Sequence, residues 1–273
     1  MYTDSIYFMK STYALITGAS SGIGFQIAHQ LAQKGFGIIL TARREDRLRE
    51  LSLELAEKYN VKTDFIPSDL AEPNAPHDIY SFCKEKNYDV EVLVNNAGYG
   101  IESQFHKTSM EVEEKFIRVL GTSVIALCKA FIPDMLEKKS GKIMIISSVA
   151  SFTPPSSIQV LYGPIKTFMN RFSDALNVNY KYRGISSTAV CPGYVVTEFH
   201  TASGVQDQMD AVPAFMKLDA KNVATEAVEA TLNSKSYCIP SKRYKFLVFL
   251  IKYAPWLINL LSNTLSGGRY EKR

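Results

Sequence analysis

The chain has 273 residues, of which 46% are hydrophobic, enough to bury one sizeable core in a single α/β domain. Charged residues make up 21% and leave a net charge of +4, too small and too mixed to indicate a nucleic-acid partner. The cysteines lie far apart, with no C-x-x-C pair and no histidine at metal spacing. We therefore expect reduced thiols, no metal site and a cytoplasmic location from Cys83, Cys128, Cys191 and Cys238. The first ten residues hold no apolar core of signal-peptide length, and no uncharged apolar stretch reaches the roughly 18 residues of a spanning helix.

Short apolar runs alternate with helical patterns along the chain. The runs are continuous, as expected for strands buried on both faces, and lie at 13–17, 37–41, 63–67, 90–94, 142–147, 186–191 and 236–240. Helices are predicted near 22–34, 45–58, 74–86, 109–138, 160–181 and 220–233. This order predicts an α/β fold: a doubly wound parallel sheet of about seven strands with helices on both faces. In such a fold ligands bind beyond the carboxyl ends of the strands.

A glycine-rich turn joins the first strand to the first helix in the segment LITGASSGIGF. Gly18, Gly22 and Gly24 let the backbone approach a pyrophosphate, and the helix N-terminus offers unpaired N–H groups and the positive end of its dipole. Ser20 and Ser21 can cap the helix or donate to a phosphate. The segment predicts a dinucleotide site, the alternative being an ordinary turn before a first helix.

The segment TGASSGIG, at 17–24, resembles the motif T-G-x-x-x-G-x-G of the short-chain dehydrogenase/reductase family. Further motifs follow in the family's order over nearly the whole chain. The resemblance implies a Rossmann-like fold, a nicotinamide cofactor and an oxidoreductase activity. It also implies that Ile23 contacts the cofactor together with the glycines and serines of the turn.

The residues after the second strand bear on the choice between NAD and NADP. An acidic residue there suits the ribose 2′-hydroxyl of NAD, whereas an arginine suits the 2′-phosphate of NADP. The segment LTARRED has no acid at Thr41 or Ala42 and continues with Arg43 and Arg44, whose guanidinium groups bind phosphate through forked hydrogen bonds. NADP(H) is therefore the predicted cofactor, with Arg43 the better candidate. The alternative is a pair of surface arginines that opens a helix.

Three further segments resemble cofactor contacts of the family. SDL after the third strand implies Asp69 and Leu70 at the adenine ring, although an aspartate there is also a common turn cap. LVNNAG after the fourth strand implies contacts near the cofactor ribose from Asn95, Ala97 and Gly98. CPGYVVTEF after the sixth strand resembles a Pro-Gly turn beside the nicotinamide and implies Pro192, Gly193, Val195 and Thr197.

A serine, a tyrosine and a lysine follow the fifth strand. In IISSVAS the resemblance implies a catalytic serine at Ser148, with Ser147 as the runner-up, and Tyr162 and Lys166 follow on the next helix. A tyrosine with its ordinary pKa of about 10 is a poor acid–base at neutral pH, but a lysine ammonium one helical turn away stabilises its phenolate. Tyr162 would donate a proton to a carbonyl oxygen and Ser148 would hydrogen-bond the same oxygen. The family implies that Lys166 also holds the nicotinamide ribose.

A second tyrosine–lysine pair and a proline are interpreted from their places in the predicted fold. A second Tyr-x-x-x-Lys pair, Tyr80 and Lys84, lies before the fourth strand, where no serine-bearing strand leads into it, so we expect an ordinary helix surface. Pro164 lies between Tyr162 and Lys166 and is tolerated if the helix begins near Tyr162, because a first-turn N–H has no partner in the helix.

The chain departs from the family's pattern at Arg118. The segment FIRVLGTSV places this arginine where the family has the asparagine of a proton relay. An arginine cannot copy that acceptor, and its charge would be costly if buried near Lys166. Either the relay is built differently or turnover is impaired. In addition, the segment VASFTPPSSIQVL carries Pro154 and Pro155 and is one residue longer than usual, which would reshape the substrate entrance.

Residues 1–242 are predicted to form one domain with a substrate-covering loop near 198–217, and 243–273 an apolar and basic helical extension. The extension is expected to dock on the fold, or alternatively to contact a membrane peripherally through residues 243–265. Either arrangement favours an apolar substrate.

These features predict an NADP(H)-dependent carbonyl reductase, or alcohol dehydrogenase in reverse, acting on a hydrophobic lipid- or steroid-like ketone. We expect a homo-oligomer, dimer or tetramer, that binds no nucleic acid and is cytoplasmic, with or without membrane association. Two alternatives stay open. One is an NADP-binding scaffold or sensor with impaired turnover, and the other is a membrane-surface protein that acts mainly through its tail.

Overall fold

A parallel sheet forms the centre of the computed structural model, which describes residues 12–101, 103–154, 160–198, 210 and 212–253. Its strands are β1 (Thr12–Thr17), β2 (Gly37–Ala42), β3 (Thr63–Pro67), β4 (Asp89–Asn95), β5 (Gly141–Ile146), β6 (Ile185–Val190) and β9 (Tyr237–Cys238). They lie in the order β3-β2-β1-β4-β5-β6-β9, and every neighbouring pair is parallel. A separate parallel pair consists of β7 (Val195–Val196) and β8 (Leu218–Asp219).

Helices cover both faces of this sheet. They are α1 (Gly22–Gln33), α2 (Glu45–Tyr59), α3 (Ala75–Glu85), α4 (Met110–Ile117), α5 (Ser123–Lys138), α6 (Tyr162–Tyr180), α7 (Ala220–Leu232) and α8 (Lys242–Tyr253). Short 3₁₀ turns occupy Phe105–Lys107, Val149–Ser151, Lys181–Arg183 and Ala214–Met216. The predicted α/β class and doubly wound sheet are confirmed.

Two apolar layers hold the sheet between the helices. Successive side chains of a strand point to opposite faces, so Leu15 packs with the layer under α3 to α6, whereas Ala14 and Ile16 pack with the layer under α1, α2 and α7. All three residues are fully buried. Burial on both faces explains why the strands read as continuous apolar runs and not as alternating ones.

The strand order reverses direction on either side of β1. From β1 the chain moves outward to β2 and β3, and then returns to the other side of β1 through β4, β5 and β6. The loops after β1 and β4 therefore diverge to opposite faces of the sheet and leave a crevice at its carboxyl edge. This crevice is where the predicted site residues meet.

The long predicted helix at 109–138 is one continuous helical run with a π turn inside it. The π turn, Arg118–Thr122, joins α4 to α5. By length and composition Met110–Lys138 could cross a membrane, but 56% of its most apolar window is buried in the fold. Phe116, Leu127 and Phe131 pack against the sheet, so the run is a core helix of this fold.

The cysteines are free thiols buried in the fold, as predicted. Burial raises the pKa of each thiol, to about 12 for Cys83, Cys128 and Cys238 and to about 11 for Cys191. Thiols with such pKa values are protonated at neutral pH and react slowly. The described residues contain no cluster of His, Cys, Asp or Glu that could hold a metal ion.

Candidate active site

The glycine-rich turn after β1 is held from the next strand in space. Thr17 Oγ1 donates to the carbonyl of Val94 at 3.2 Å and accepts from the backbone N–H of Asn96 at 2.9 Å. The Asn96 amide donates to the carbonyls of Thr17 and Gly18 at 2.9 and 3.1 Å. The end of β4 therefore fixes the conformation of the turn, although the two segments are about 80 residues apart in sequence.

Three glycines permit this arrangement for different reasons. Gly18 and Gly22 have φ angles of +64° and +61°, which side-chain-bearing residues rarely adopt. At Gly24 a Cβ would lie 2.4 Å from both the Asn96 amide nitrogen and the Gly18 carbonyl oxygen. The turn thus leaves its backbone bare at the N-terminus of α1, where anions bind favourably.

A large cavity, of about 1450 Å³, opens at the carboxyl edge of the sheet. It collects nearly all of the predicted cofactor residues: Gly18, Ser20, Ser21, Gly22, Ile23, Arg43, Arg44, Asp69, Leu70, Ala97, Gly98, Pro192, Gly193, Val195 and Thr197. It also contains the predicted catalytic residues Ser148, Tyr162 and Lys166. Residues from six separate loops thus line one continuous space, large enough for a dinucleotide and a second molecule.

Two predicted cofactor residues lie outside the cavity wall. Asn95 is buried and its amide nitrogen lies 3.6 Å from Cys128 Sγ, so its side chain points into the core and not toward a ligand. Gly24 shapes the turn by close packing, as described above. The asparagine that lines the cavity is Asn96, one residue further along. The sequence prediction missed it because the two asparagines are adjacent, and only the point at which β4 ends, at Asn95, decides which of them faces the site.

Ser148, Tyr162 and Lys166 meet at the other end of the cavity. Ser148 lies two residues beyond β5 and caps the 3₁₀ turn Val149–Ser151, while Tyr162 and Lys166 lie one helical turn apart at the start of α6. The Ser148 and Tyr162 hydroxyls share a hydrogen bond, and the Lys166 ammonium lies 5.5 Å from the centre of the Tyr162 ring. Lys166 Nζ also donates to the Ile146 carbonyl at 2.7 Å. The three residue types are therefore in contact, as the pattern predicts.

The structure separates Ser148 from its runner-up. Ser147 Oγ donates to the backbone carbonyl of Lys166 at 3.0 Å, so Ser147 ties β5 to α6. Ser148 Oγ accepts from the Ala150 N–H at 3.1 Å and stays directed toward Tyr162. Pro164 is the third residue of α6, inside its first turn, where a missing N–H costs no helical hydrogen bond.

A buried asparagine that the sequence prediction missed supports this loop. Asn170 lies one turn beyond Lys166 on α6, and its amide donates to Ser151 Oγ at 2.7 Å. Ser151 Oγ in turn donates to the Ser148 carbonyl at 2.6 Å, and Cys191 Sγ lies 3.5 Å from Asn170 Oδ1. This chain of contacts locks the serine-bearing loop and the end of β6 onto α6.

Burial shifts both titrating groups at this site. Desolvation lowers the pKa of Lys166 to about 8, because removal from water disfavours the charged ammonium. Desolvation raises the pKa of Tyr162, while the hydrogen bond with Ser148 acts in the opposite direction. At neutral pH the site therefore holds a protonated tyrosine beside a charged lysine that gives up its proton more readily than an ordinary one.

The two arginines after β2 have different surroundings. Arg44 donates to Ser20 Oγ and Ser21 Oγ, both at 3.0 Å, and to Glu198 Oε2 at 3.0 Å. Arg43 lines the same end of the cavity. Both therefore lie where an anion would bind, and Arg44, the predicted reserve, is already tied to the glycine-rich turn and to Glu198.

The second tyrosine–lysine pair serves as a structural contact. Tyr80 and Lys84 lie on α3, and both bind Asp134 of α5, at 3.2 Å in each case. They hold two helices together at a distance from the cavity. The pair is thus not the plain solvated surface that the sequence predicts but a bridge between α3 and α5, and neither residue lines the cavity.

Arg118 begins the π turn and is half-buried. It is absent from the described residues that line the cavity, although Lys115 and Val119 on the same run do line it. π turns often mark functional positions in a helix. The arginine that the sequence prediction places at the family's asparagine position thus begins a π turn here.

Residues 199–209 and 211 of the predicted substrate loop lie outside the described residues. In the segment between Ser148 and Tyr162, Pro155 and residues 156–159 also lie outside them. The described part contains β8 and Met216, which lines the cavity. The predicted extension is described as far as Tyr253. Its helix α8 docks on the fold, and Tyr244 and Leu247 line the cavity.

A family model described as short chain dehydrogenase matches residues 12–208 of the chain. The chain is a short-chain dehydrogenase. It is 30% identical over 246 residues to a very-long-chain 3-oxoacyl-CoA reductase of Bos taurus, covering 85% of this chain and 77% of the relative. It is 28% identical over 261 residues to the Homo sapiens protein named inactive hydroxysteroid dehydrogenase-like protein 1, covering 93% and 77%. Among solved structures, a short-chain dehydrogenase from Sphingobium yanoikuyae in complex with NADPH superposes with a TM-score of 0.80 at 26% identity, covering 96% and 98%.

As a short-chain dehydrogenase the protein is an oxidoreductase that acts on a CH–OH/C=O pair. The cavity fits the nicotinamide dinucleotide of this family, because bare glycine backbone, helix α1 and the serines of the turn meet at one end and the Ser148–Tyr162–Lys166 group at the other. When bound, the nicotinamide supplies or accepts the hydride. The chain itself places the Tyr162 and Ser148 hydroxyls and the Lys166 ammonium together at this end of the cavity.

Proposed function

We propose that this short-chain dehydrogenase is an NADP(H)-dependent reductase of hydrophobic ketones, working in reverse as a secondary alcohol dehydrogenase. The observation that carries the proposal is the contact of Ser148, Tyr162 and Lys166 at the end of a cavity whose other end presents Arg44. A donor group for a carbonyl oxygen and a phosphate-binding guanidinium thus open into one space.

The proposed chemistry assigns one task to each residue. Tyr162 donates its proton to the carbonyl oxygen as the carbonyl is reduced. Ser148 hydrogen-bonds the same oxygen and stabilises the charge that develops on it. Lys166 stabilises the tyrosinate left behind, since an opposite charge nearby favours the deprotonated phenol. In the oxidative direction the same groups act in reverse order.

The preference for NADP is supported by charge. The end of β2 presents Arg43 and Arg44 and no carboxylate at Thr41 or Ala42, so the residues there suit a 2′-phosphate better than a 2′-hydroxyl. The NADPH complex of the Sphingobium relative supports the same choice.

The apolar wall of the cavity supports a hydrophobic substrate. The lining of the cavity includes the apolar side chains of Val149, Val160, Val195, Met216 and Leu247. One relative is named for very-long-chain 3-oxoacyl-CoA reduction, and the other is named hydroxysteroid dehydrogenase-like, although its name also calls it inactive. We therefore propose a lipid-like or steroid-like oxo compound as the substrate class.

A cofactor titration tests the proposal. Wild-type protein should bind NADPH at least about tenfold more tightly than NADH, since one charge-assisted phosphate contact contributes on the order of 1.5–3 kcal/mol. Arg44→Ala should remove most of that difference, while Arg49→Ala, which loses a surface pair with Glu45 and a contact with the Phe65 ring but does not line the cavity, should keep it. Equal affinities in the wild type would contradict the NADP assignment.

Arg118 supports a second candidate function, an NADP-binding scaffold or sensor with impaired turnover. The residue occupies the family's asparagine position, at the start of the π turn. The discriminating experiment is NADPH oxidation with a broad panel of ketones. Binding without oxidation in the wild type, together with activity created by Arg118→Asn, would favour the scaffold. Oxidation by the wild type would favour the enzyme.

We also propose that the protein forms a homo-oligomer. Exposed apolar side chains on α4 and α6 support this proposal, because a second copy of the chain could cover them. These side chains are Met110, Val112 and Phe168. Light scattering of the purified protein tests it, and a monomer at micromolar concentration would contradict it.

A further inference from the structure

One face of helix α8 is firmly attached to the fold. Tyr244 and Val248 are 1% and 3% exposed. The Tyr244 hydroxyl accepts from the Tyr194 N–H at 3.1 Å and donates to the Met216 carbonyl at 2.7 Å. The Tyr244 ring also covers Gly193, where a Cβ would lie 2.0 Å from Cζ. The orientation of the helix about its axis is therefore fixed.

The opposite face of α8 presents aromatic side chains to solvent. Phe246, Phe249 and Tyr253 are 62%, 56% and 73% exposed. Their spacing of three and four residues places them along one side of the helix, and the rings of Phe249 and Tyr253 lie 5.0 Å apart. We call these three residues the aromatic stripe of α8.

The charges of α8 indicate what the aromatic stripe contacts. The helix carries Lys242, Arg243, Lys245 and Lys252 and no acidic residue. Lysine is depleted in the buried centres of protein–protein interfaces, whereas aromatic residues flanked by Lys and Arg are typical of helices that lie on a membrane surface. Each basic residue near an anionic leaflet adds about 1 kcal/mol of attraction.

We propose that the aromatic stripe of α8 docks on the surface of an anionic lipid bilayer. The helix would then lie in the interface with Phe246, Phe249 and Tyr253 among the acyl chains and with Lys242 and Arg243 at the head groups. Lys245 is paired with Glu226, and Lys252 lies over the Phe152 ring, so these two charges face the fold. No spanning segment is needed, because the opposite face of the helix stays packed on the fold.

The placement of α8 links this surface to the cavity. Tyr244 and Leu247 line the cavity, and the Lys252 ammonium lies 4.6 Å from the centre of the Phe152 ring, four residues after Ser148. A bilayer bound to α8 would lie about one helix diameter, roughly 10 Å, from the site. This second step rests on the proposed function: a lipid-like ketone would reach the site from the membrane.

Vesicle co-sedimentation of the full-length protein tests the docking surface without any activity measurement. The vesicles consist of phosphatidylcholine alone or of phosphatidylcholine with phosphatidylserine. The test variant is Phe246→Ser/Phe249→Ser/Tyr253→Ser. The matched control replaces exposed apolar residues elsewhere, Leu53→Ser/Val178→Ser/Tyr182→Ser.

We expect wild type and control to bind the phosphatidylserine vesicles, more weakly at high salt, and the stripe variant to bind at least about tenfold less tightly. Equal binding by wild type and stripe variant would overturn the proposal, and so would failure of the wild type to bind. A wild-type dimer that the stripe variant loses, with no vesicle binding, would assign the stripe to a second copy. A titration that shows no preference for NADPH would contradict the proposed function but would not change the vesicle result. The docking proposal and the proposed function can therefore be overturned independently.

A different observation carries a second inference, about Glu198. This glutamate follows Thr197 after β7 and is held by two arginines of the β2–α2 region, Arg44 at 3.0 Å and Arg47 at 2.7 Å. The Arg44 guanidinium also donates hydrogen bonds to the hydroxyls of Ser20 and Ser21. A carboxylate is therefore bound at the group that would hold the cofactor's phosphate.

We infer that Glu198 competes with the 2′-phosphate for Arg44 and so limits the affinity for NADP(H). Arg44 would turn from the carboxylate to the phosphate when the cofactor binds, while Arg47 keeps Glu198 paired. This inference rests on the proposed NADP preference.

The test compares Glu198→Gln with Asp134→Asn, which removes an equal charge from a salt bridge with Lys84 away from the cavity. We expect Glu198→Gln to lower the Kd for NADPH by about fivefold and that for NADH by less than about twofold, with no change in Asp134→Asn. An unchanged or higher Kd for NADPH, or an equal gain for both cofactors, would overturn the inference. A wild type that prefers NADH would instead contradict the proposed function.

Discussion

At the scale of single residues, the site depends on burial as much as on residue type. Packing around Lys166 removes its side chain from water, so that its charge is disfavoured where it lies beside the Tyr162 ring. The motif predicts the three residues. It does not predict that Lys166 has a pKa of about 8, which follows from packing around it.

This pKa predicts a pH dependence. Reduction needs a charged Lys166 to stabilise the tyrosinate formed at Tyr162. The lysine is charged below its pKa and loses its charge as pH rises through about 8. The kcat/KM for ketone reduction should therefore be level below pH 8 and fall above it. A steady-state pH profile checks this, and a profile that stays level to about pH 10, the ordinary lysine range, would contradict it.

Asn170 is expected to position the serine loop. Asn170→Ala removes the contact with Ser151 and should lower kcat by about tenfold, since small displacements of a catalytic group are costly. The control is Asn177→Ala, which removes comparable hydrogen bonds to Ser187, at 2.7 and 2.9 Å, further along α6. Both variants should lose about 1–2 kcal/mol of unfolding free energy. An equal effect of both on kcat would assign Asn170 a purely structural role.

At the scale of elements, the sequence predicts most of the fold because its strands are buried on both faces. Each of the seven predicted strands is present, and the run at 109–138 is helical throughout. The features that the sequence does not predict depend on contacts between distant segments. The orientation of Asn95 and Asn96 depends on the point at which β4 ends, and the pairing of β7 with β8 joins residues more than 20 positions apart. The Glu198 salt bridges and the outward face of α8 likewise have no local signal.

The close approach of β4 to the first turn predicts the effect of a small substitution. Gly24→Ala would place a methyl group 2.4 Å from Asn96 and the Gly18 carbonyl, so it should cost about 1–3 kcal/mol of unfolding free energy and weaken cofactor binding. Gly121→Ala is the control, because a Cβ there meets nothing within 4 Å. It should be neutral or stabilise by up to about 1 kcal/mol. Denaturant unfolding measures the free energy of unfolding of the two variants, and cofactor titration measures their binding. A Gly24→Ala variant as stable as the wild type would contradict the packing argument.

At the scale of the whole molecule, the proposed function depends on a cavity that has the glycine-rich turn at one end and Tyr162 at the other. Six loops bring a phosphate-binding turn and a proton donor into the same space, and α8 closes its apolar side. A hydrophobic substrate should therefore gain affinity as its chain lengthens. We expect kcat/KM to rise by up to about fourfold per methylene in a series of methyl ketones until the cavity is filled. A flat series would contradict the proposed substrate class.

The central claim is that Tyr162 delivers the proton in an NADPH-dependent carbonyl reduction. The most direct test is single-turnover oxidation of bound NADPH by a hydrophobic ketone in wild type and Tyr162→Phe. The account predicts a loss of about 10²–10⁴-fold in rate, with NADPH affinity kept within about twofold. An unchanged rate in Tyr162→Phe would contradict it.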